Sequence, residues 1–119
     1  MIPERKELKR QYLETVQPMG VYRVKNLANG KIFIDSGLNV RGKLNRCKFQ
    51  LAHGSHVNKV LQEDYNTSGL DNFTFEIIDC LKPKKDKDTD YTDDLKMLEE
   101  LWMEKLQPFD EKGYNKRKL

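Results

Sequence analysis

The sequence is poor in the features that would anchor it in a membrane or an oxidising compartment. No apolar run reaches the ~18 residues that a spanning helix needs, and the N-terminus is charged from Glu4 onward, unlike a secretory leader. Only two cysteines occur in 119 residues, Cys47 and Cys80, without metal-type spacing. They are expected as reduced core thiols rather than a disulfide. These absences point to one cytoplasmic domain, with no membrane partner and with length enough for a real core. No internal repeat or low-complexity segment is present.

A further absence is local. From Ser36 to Gln62 there is no acidic residue, whereas Arg41, Lys43, Arg46, Lys48 and Lys59 all fall there. Residues 1–62 carry 12 Lys and Arg against 4 Asp and Glu, residues 63–111 carry 6 against 15, and the last eight carry 4 against none. A one-signed basic segment suits a phosphate backbone, so those five residues are expected to bind nucleic acid; a solvated helix surface is the alternative.

What is present is organised around Gly20 to Asp35. Two β-prone runs, Gly20–Asn26 and Lys31–Asp35, flank Asn29-Gly30, the pattern of a type I′ hairpin in which both central residues take positive φ. That turn would set Asn26 opposite Phe33 and Val24 opposite Asp35, with Tyr22 on the same side. Val21, Leu27, Ile32 and Ile34 would form the other side, expected to face the core.

The remaining elements follow in order. Pro3-Glu4 opens a helix to about Thr15, with Leu8 and Tyr12 one turn apart. Val40, Leu44, Cys47 and Leu51 fall within about 60° of a helical wheel and mark a core-facing stripe, with Lys43, Arg46 and Gln50 as the neighbouring row. Phe49 points the other way, toward the N-terminal helix, a second subunit or a base. Gly54 ends this helix, and Ser55 is expected to cap the next, from His56 to about Tyr65 with Val57, Leu61 and Tyr65 on one side. Asn72 to Cys80 alternates as a third strand with Phe73, Phe75 and Ile77 on one face. Lys82 to Thr92 is a polar loop. A last helix starts among Asp90–Asp94 and stops before Pro108. On it, Glu99 shares the apolar arc of Leu95, Trp102 and Leu106, where a carboxylate needs a cation, hydrogen bonds or a metal. A salt bridge to Lys43 or Arg46 would also satisfy it.

Several of these segments together carry a resemblance. Gly20-Val21-Tyr22, then Phe33-Ile34-Asp35, then Ser36, Asn39, a basic helix, Gly54-Ser55-His56, Leu61-Gln62, Asn72-Phe73-Thr74-Phe75-Glu76, Glu99 three residues before Trp102, and Gly113-Tyr114-Asn115 resemble the GIY-YIG nuclease family in order along most of the chain. The resemblance implies an α+β domain over 19–119: a three-stranded, mainly antiparallel sheet flanked by helices, preceded by an extra basic helix within 1–18. It implies metal-dependent hydrolysis of a phosphodiester strand, with DNA as the expected substrate. Tyr22 would help to activate water, Lys43 would hold the phosphate, His56 would assist and Asn115 would brace the site. Glu99 would be the single protein ligand of Mg²⁺ or Mn²⁺, an ion that keeps most of its waters.

The site departs from the family pattern at three positions. Phe33 stands where a second tyrosine is usual and lacks its hydroxyl. Asp35 stands in place of a glycine, and Lys43 in place of an arginine whose bidentate fork a lysine does not supply. A weakened nuclease is therefore expected. An inactive nucleic-acid-binding or protein-interaction module on the same fold is the alternative, with self-association through Phe49 and the N-terminal helix a third reading.

Overall fold

β1 (Met19–Asn26) and β2 (Ile32–Gly37) form the antiparallel ribbon expected from Asn29-Gly30, but in another register. This computed structural model describes residues 18–82 and 90–116; the helix expected from Pro3 to about Thr15 and most of the polar loop lie outside them. The turn is wider than type I′. Gly30 has φ 77°, whereas Asn29 is not among the residues with positive φ. The Asn26 side chain accepts from the Ala28 amide at 2.9 Å and that of Asn29 from Lys31 at 2.9 Å, so four residues, Leu27 to Gly30, separate Asn26 from Lys31, whose carbonyl accepts from the Asn26 amide at 2.9 Å. Tyr22 consequently pairs with Asp35, and Val24 with Phe33. The slip is by two residues, so every side chain keeps its face.

β3 (Phe73–Leu81) pairs antiparallel with β1, and the sheet order is β2-β1-β3. The pairing steps from Ile77 opposite Tyr22 to Asp79 opposite Val21, a bulge that bends the sheet beside the first signature triplet. Between β2 and β3 run α1 (Val40–Ala52) and α2 (Lys59–Ser68); α3 (Thr92–Leu106) follows β3. The result is the expected α+β architecture.

The core differs from expectation in where it lies. The stripe Val40, Leu44, Cys47 and Leu51 is buried as expected, but its partners are Tyr22, Val24, Leu61, Phe73 and Tyr114, on the tyrosine side of the sheet. The opposite side is closed as well. Val21 and Ile34 are buried where α3 crosses β1 and β2, and Trp102 Nε1 donates to Asp79 at 2.9 Å there. Leu27, expected in the core, is exposed in the turn. A central strand with helices on both faces buries both sets of side chains, which alternation alone does not show.

α2 starts three residues later than expected. Gln62 Oε1 accepts from the His56 amide at 3.0 Å, and His56 Nδ1 accepts from the Asn58 amide at 3.0 Å, so the chain is held irregular up to Asn58. Asn58 then caps the helix by accepting from Leu61 at 3.1 Å. Ser55 instead donates its amide to Gln50, and Val57 is exposed rather than on the core side. Cys80 is exposed, not a core thiol; Cys47 is buried, and neither forms a disulfide.

Candidate active site

The row Lys43, Arg46 and Gln50 flanks the buried stripe of α1 and faces the tyrosine side of the hairpin. With Tyr22, Phe33, Asp35, Cys47, His56 and Val57 it lines a cleft of about 230 Å³. Tyr22 and Phe33 present rings with centroids 6.3 Å apart, and the Phe33 ring meets His56 edge-on at 5.5 Å. Four of the expected site residues, Tyr22, Phe33, Lys43 and His56, therefore converge on one opening.

Asp35, which replaces a glycine in the family pattern that the sequence resembles, is the hub of this cleft. Its carboxylate accepts from the Tyr22 hydroxyl at 3.3 Å and from Lys43 Nζ at 3.2 Å. Lys43 also donates to the Ser36 carbonyl at 2.6 Å. The lysine expected to hold a phosphate is thus engaged by an internal anion. Burial, and then the nearby Cys47 and Asp35, push the Tyr22 pKa well above the usual tyrosine range, so this hydroxyl stays protonated and acts as a hydrogen-bond donor.

Behind the tyrosine lies a thiol. Cys47 Sγ is 3.5 Å from His56 Nε2, and burial pushes the thiol up to about 11. Because His56 Nδ1 accepts from a backbone amide, the neutral ring carries its proton on Nε2, directed at Cys47. Burial lowers the His56 pKa, with the negative Asp35 opposing, which favours that neutral form. Cys47 was legible only as a core-stripe residue. Its place one turn after Lys43, beside the basic row, was the signal that it also borders the cleft.

Glu99 approaches from the other side of the β2 edge and lies outside this cleft. It lines a neighbouring hollow with Glu100, Met103, Phe109 and Lys116. Burial raises its pKa first and the Asp35 charge second, while the Ser36 side chain and Lys43 pull it down. Among the described residues the ion pair here is Lys43–Asp35, not a bridge from Glu99 to Lys43 or Arg46. Two carboxylates, Asp35 and Glu99, thus bear on each other, and the Lys43 charge acts on both. Oxygen donors with excess negative charge fit a hard divalent cation, and one or two carboxylates suffice for Mg²⁺. No cluster of three or more ligating side chains occurs among the described residues.

Asn115 lies outside the cleft. Its Oδ1 accepts from the Ile34 amide at 2.9 Å and its Nδ2 donates to the Ile34 carbonyl at 2.8 Å, so it serves as a surrogate strand partner on the free edge of β2. Ile34 sits between Phe33 and Asp35, and this clamp holds their backbone. Asn115→Ala leaves both Ile34 groups unpaired. It is expected to cost about 1–3 kcal/mol in urea denaturation and to speed exchange of the Ile34 amide hydrogen.

The basic segment does not form one face. At about 100° per residue, Lys43 and Arg46 lie on the flank of α1 toward β2, whereas Arg41 and Lys48 lie on the other flank. Lys48 Nζ sits 5.2 Å from the Phe75 ring centroid, on the β3 side. Lys59 is exposed at the start of α2. Lys43 and Arg46 alone border the cleft.

The sheet order, the helix pair inserted between β2 and β3, and a tyrosine cleft with a glutamate beyond the strand edge define a GIY-YIG-like fold. Among solved structures, the chain is similar to the catalytic domain of the homing endonuclease I-TevI, with TM-score 0.65 and 25% identity over 84% of this chain and 99% of that one. A mutant of the catalytic domain of intron endonuclease I-TevI matches at TM-score 0.65 and 24% identity, over 83% and 93%. No protein-family model matches the sequence, and no curated protein matches it. No helix among the described residues is long and apolar enough to cross a membrane.

Proposed function

We propose that the chain is a divalent-metal-dependent nuclease domain acting on nucleic acid, with hydrolysis weakened by its altered site. The observation that carries this reading is the cleft in which Tyr22, Lys43, Arg46 and His56 meet on a fold shared with an endonuclease catalytic domain. Lys43 and Arg46 would bind the scissile phosphate. The Tyr22 hydroxyl, protonated and fixed by Asp35, would orient the attacking water rather than deprotonate it. His56 holds the aromatic wall and the Cys47 thiol in place. Asp35 and Glu99 would hold Mg²⁺ or Mn²⁺, which when bound supplies charge stabilisation for the developing oxyanion.

A second reading, a binding module without catalysis, is favoured by one contact. Lys43 is ion-paired to Asp35 at 3.2 Å, so a phosphate must compete with an internal carboxylate for the lysine. End-labelled DNA, duplex and branched, incubated with Mg²⁺ or Mn²⁺ separates the two. The nuclease reading expects slow cleavage by the wild type. It also expects faster cleavage by the double variant Phe33→Tyr with Lys43→Arg, which restores a hydroxyl and a bidentate fork, each worth about 10²-fold by analogy with other catalytic groups. No cleavage by either protein, with salt-sensitive DNA affinity retained, would assign the chain to the binding class.

A further inference from the structure

α1 carries an aromatic pair that stays outside the core. Phe49 lies opposite the buried stripe and is 62% exposed. Its ring is stacked on that of His53, one turn on, with centroids 4.0 Å apart and planes at 27°. The imidazole is itself fixed, because His53 Nδ1 lies 2.9 Å from the Phe49 carbonyl and the His53 amide donates to the same oxygen at 3.1 Å. The stack covers one face of each ring and fixes the Phe49 ring, which is otherwise largely open to solvent, before any ligand arrives. Arg46, one turn before Phe49, lines the cleft, and Lys43 lies one turn before that. Lys43, Arg46, Phe49 and His53 therefore form a continuous row from the cleft onto the open side of α1, within a segment that contains no acid from Ser36 to Gln62.

We propose that the Phe49–His53 stack is a platform for an unpaired base of a nucleic-acid strand whose backbone phosphate lies against Lys43 and Arg46. The inference rests on the nucleic-acid reading of the cleft and adds a ligand class to it: a single-stranded or locally splayed strand. Every base has a π-face, so stacking on an exposed ring is indifferent to sequence. A base inside a duplex has both faces covered by its neighbours and does not reach such a ring. Charge selects the occupant further. Along the helix the stack is flanked by Asn45, Arg46, Lys48 and the small Ala52, with two cations and no acid among them, which complements a polyanion.

Fluorescence anisotropy with labelled oligodeoxythymidylate, oligouridylate and a blunt duplex of equal length tests the platform, with circular dichroism to show that each variant is folded. Phe49→Ala is expected to weaken single-strand binding by about 5- to 100-fold, to leave duplex binding nearly unchanged and to keep the salt slope, with Phe49→Trp restoring affinity. Arg46→Ala should weaken both and reduce the salt slope by about one. Comparison of the two oligonucleotides assigns the strand as DNA or RNA. Unchanged single-strand binding by Phe49→Ala overturns the platform and leaves the cleft reading standing, as does an equal loss on single strand and duplex. A wild type that binds no oligonucleotide overturns both. Self-association lost in Phe49→Ala, with oligonucleotide binding unchanged, assigns this face to a second copy and also overturns the platform.

Discussion

On the nuclease reading proposed above, Glu99→Gln is expected to abolish divalent-ion binding and to lower strand cleavage by about 10²-fold or more. The reason is charge rather than shape. Glu99 is half-buried on α3, and burial together with the Asp35 charge already raises its pKa. Lys43 is engaged by Asp35 at 3.2 Å, so its one positive charge is shared by two carboxylates, while Lys116 lines the hollow beside Glu99 without an ion pair to it among the described residues. A divalent cation would relieve that imbalance. Glutamine keeps the length and the polar contact with Ser36 but removes the charge, so the fold is expected to persist without loss of stability. Titration of Mn²⁺ by calorimetry on wild type and variant, alongside cleavage of labelled DNA, checks both halves. Undiminished Mn²⁺ binding by the variant would remove Glu99 from the proposed metal site.

Gly20→Ala is expected to destabilise the protein by about 3 kcal/mol or more, with the loss read by urea denaturation. Gly20 opens the first signature triplet and pairs with Gly37 on one side and Cys80 on the other. A Cβ built there would lie 2.0 Å from the Asp79 carbonyl oxygen and 2.9 Å from the Cys80 Cα. Both are backbone atoms of β3 next to the bulge, so relief requires separating β1 from β3. Space, not φ, makes glycine necessary at this position. Gly30 is the contrasting case. A Cβ there meets nothing within 4 Å, but φ is 77°, so Gly30→Ala should cost only about 1 kcal/mol through backbone strain. Equal stability of Gly20→Ala and wild type would mean that β1 and β3 lie further apart than described.

Much of the site is periodic and therefore readable. The stripe Val40, Leu44, Cys47, Leu51 repeats at helical spacing, and the row Lys43, Arg46, Gln50 beside it had to lie along one flank of the same helix. Glu99 shared the arc of Leu95 and Trp102 for the same reason. The cleft wall and the half-burial of Glu99 both follow. Side-chain hydrogen bonds were not readable in the same way. Asn58 rather than the expected Ser55 caps α2, because Gln62 reaches back to the His56 amide and holds the intervening chain irregular. The hairpin turn was widened by Asn26 and Asn29 side chains binding amides two residues on, an outcome that Asn-Gly composition does not distinguish from type I′.

The sequence by itself determined the order of the described strands and helices, the parity of β1 and β2 and the residue types available to the cleft, because these depend on spacings of a few residues along the chain. The bulge that shifts the parity of β3 was not among them. Only the tertiary structure decided which sheet face met which helix and that Lys43 pairs with Asp35. It also decided that Asn115 completes the edge of β2, 81 residues from its partner Ile34. The physical reason is that β1 is covered on both faces, so its alternation holds no inside and outside. The partners of a charged or amide side chain are chosen by competition among groups brought together only when distant segments pack.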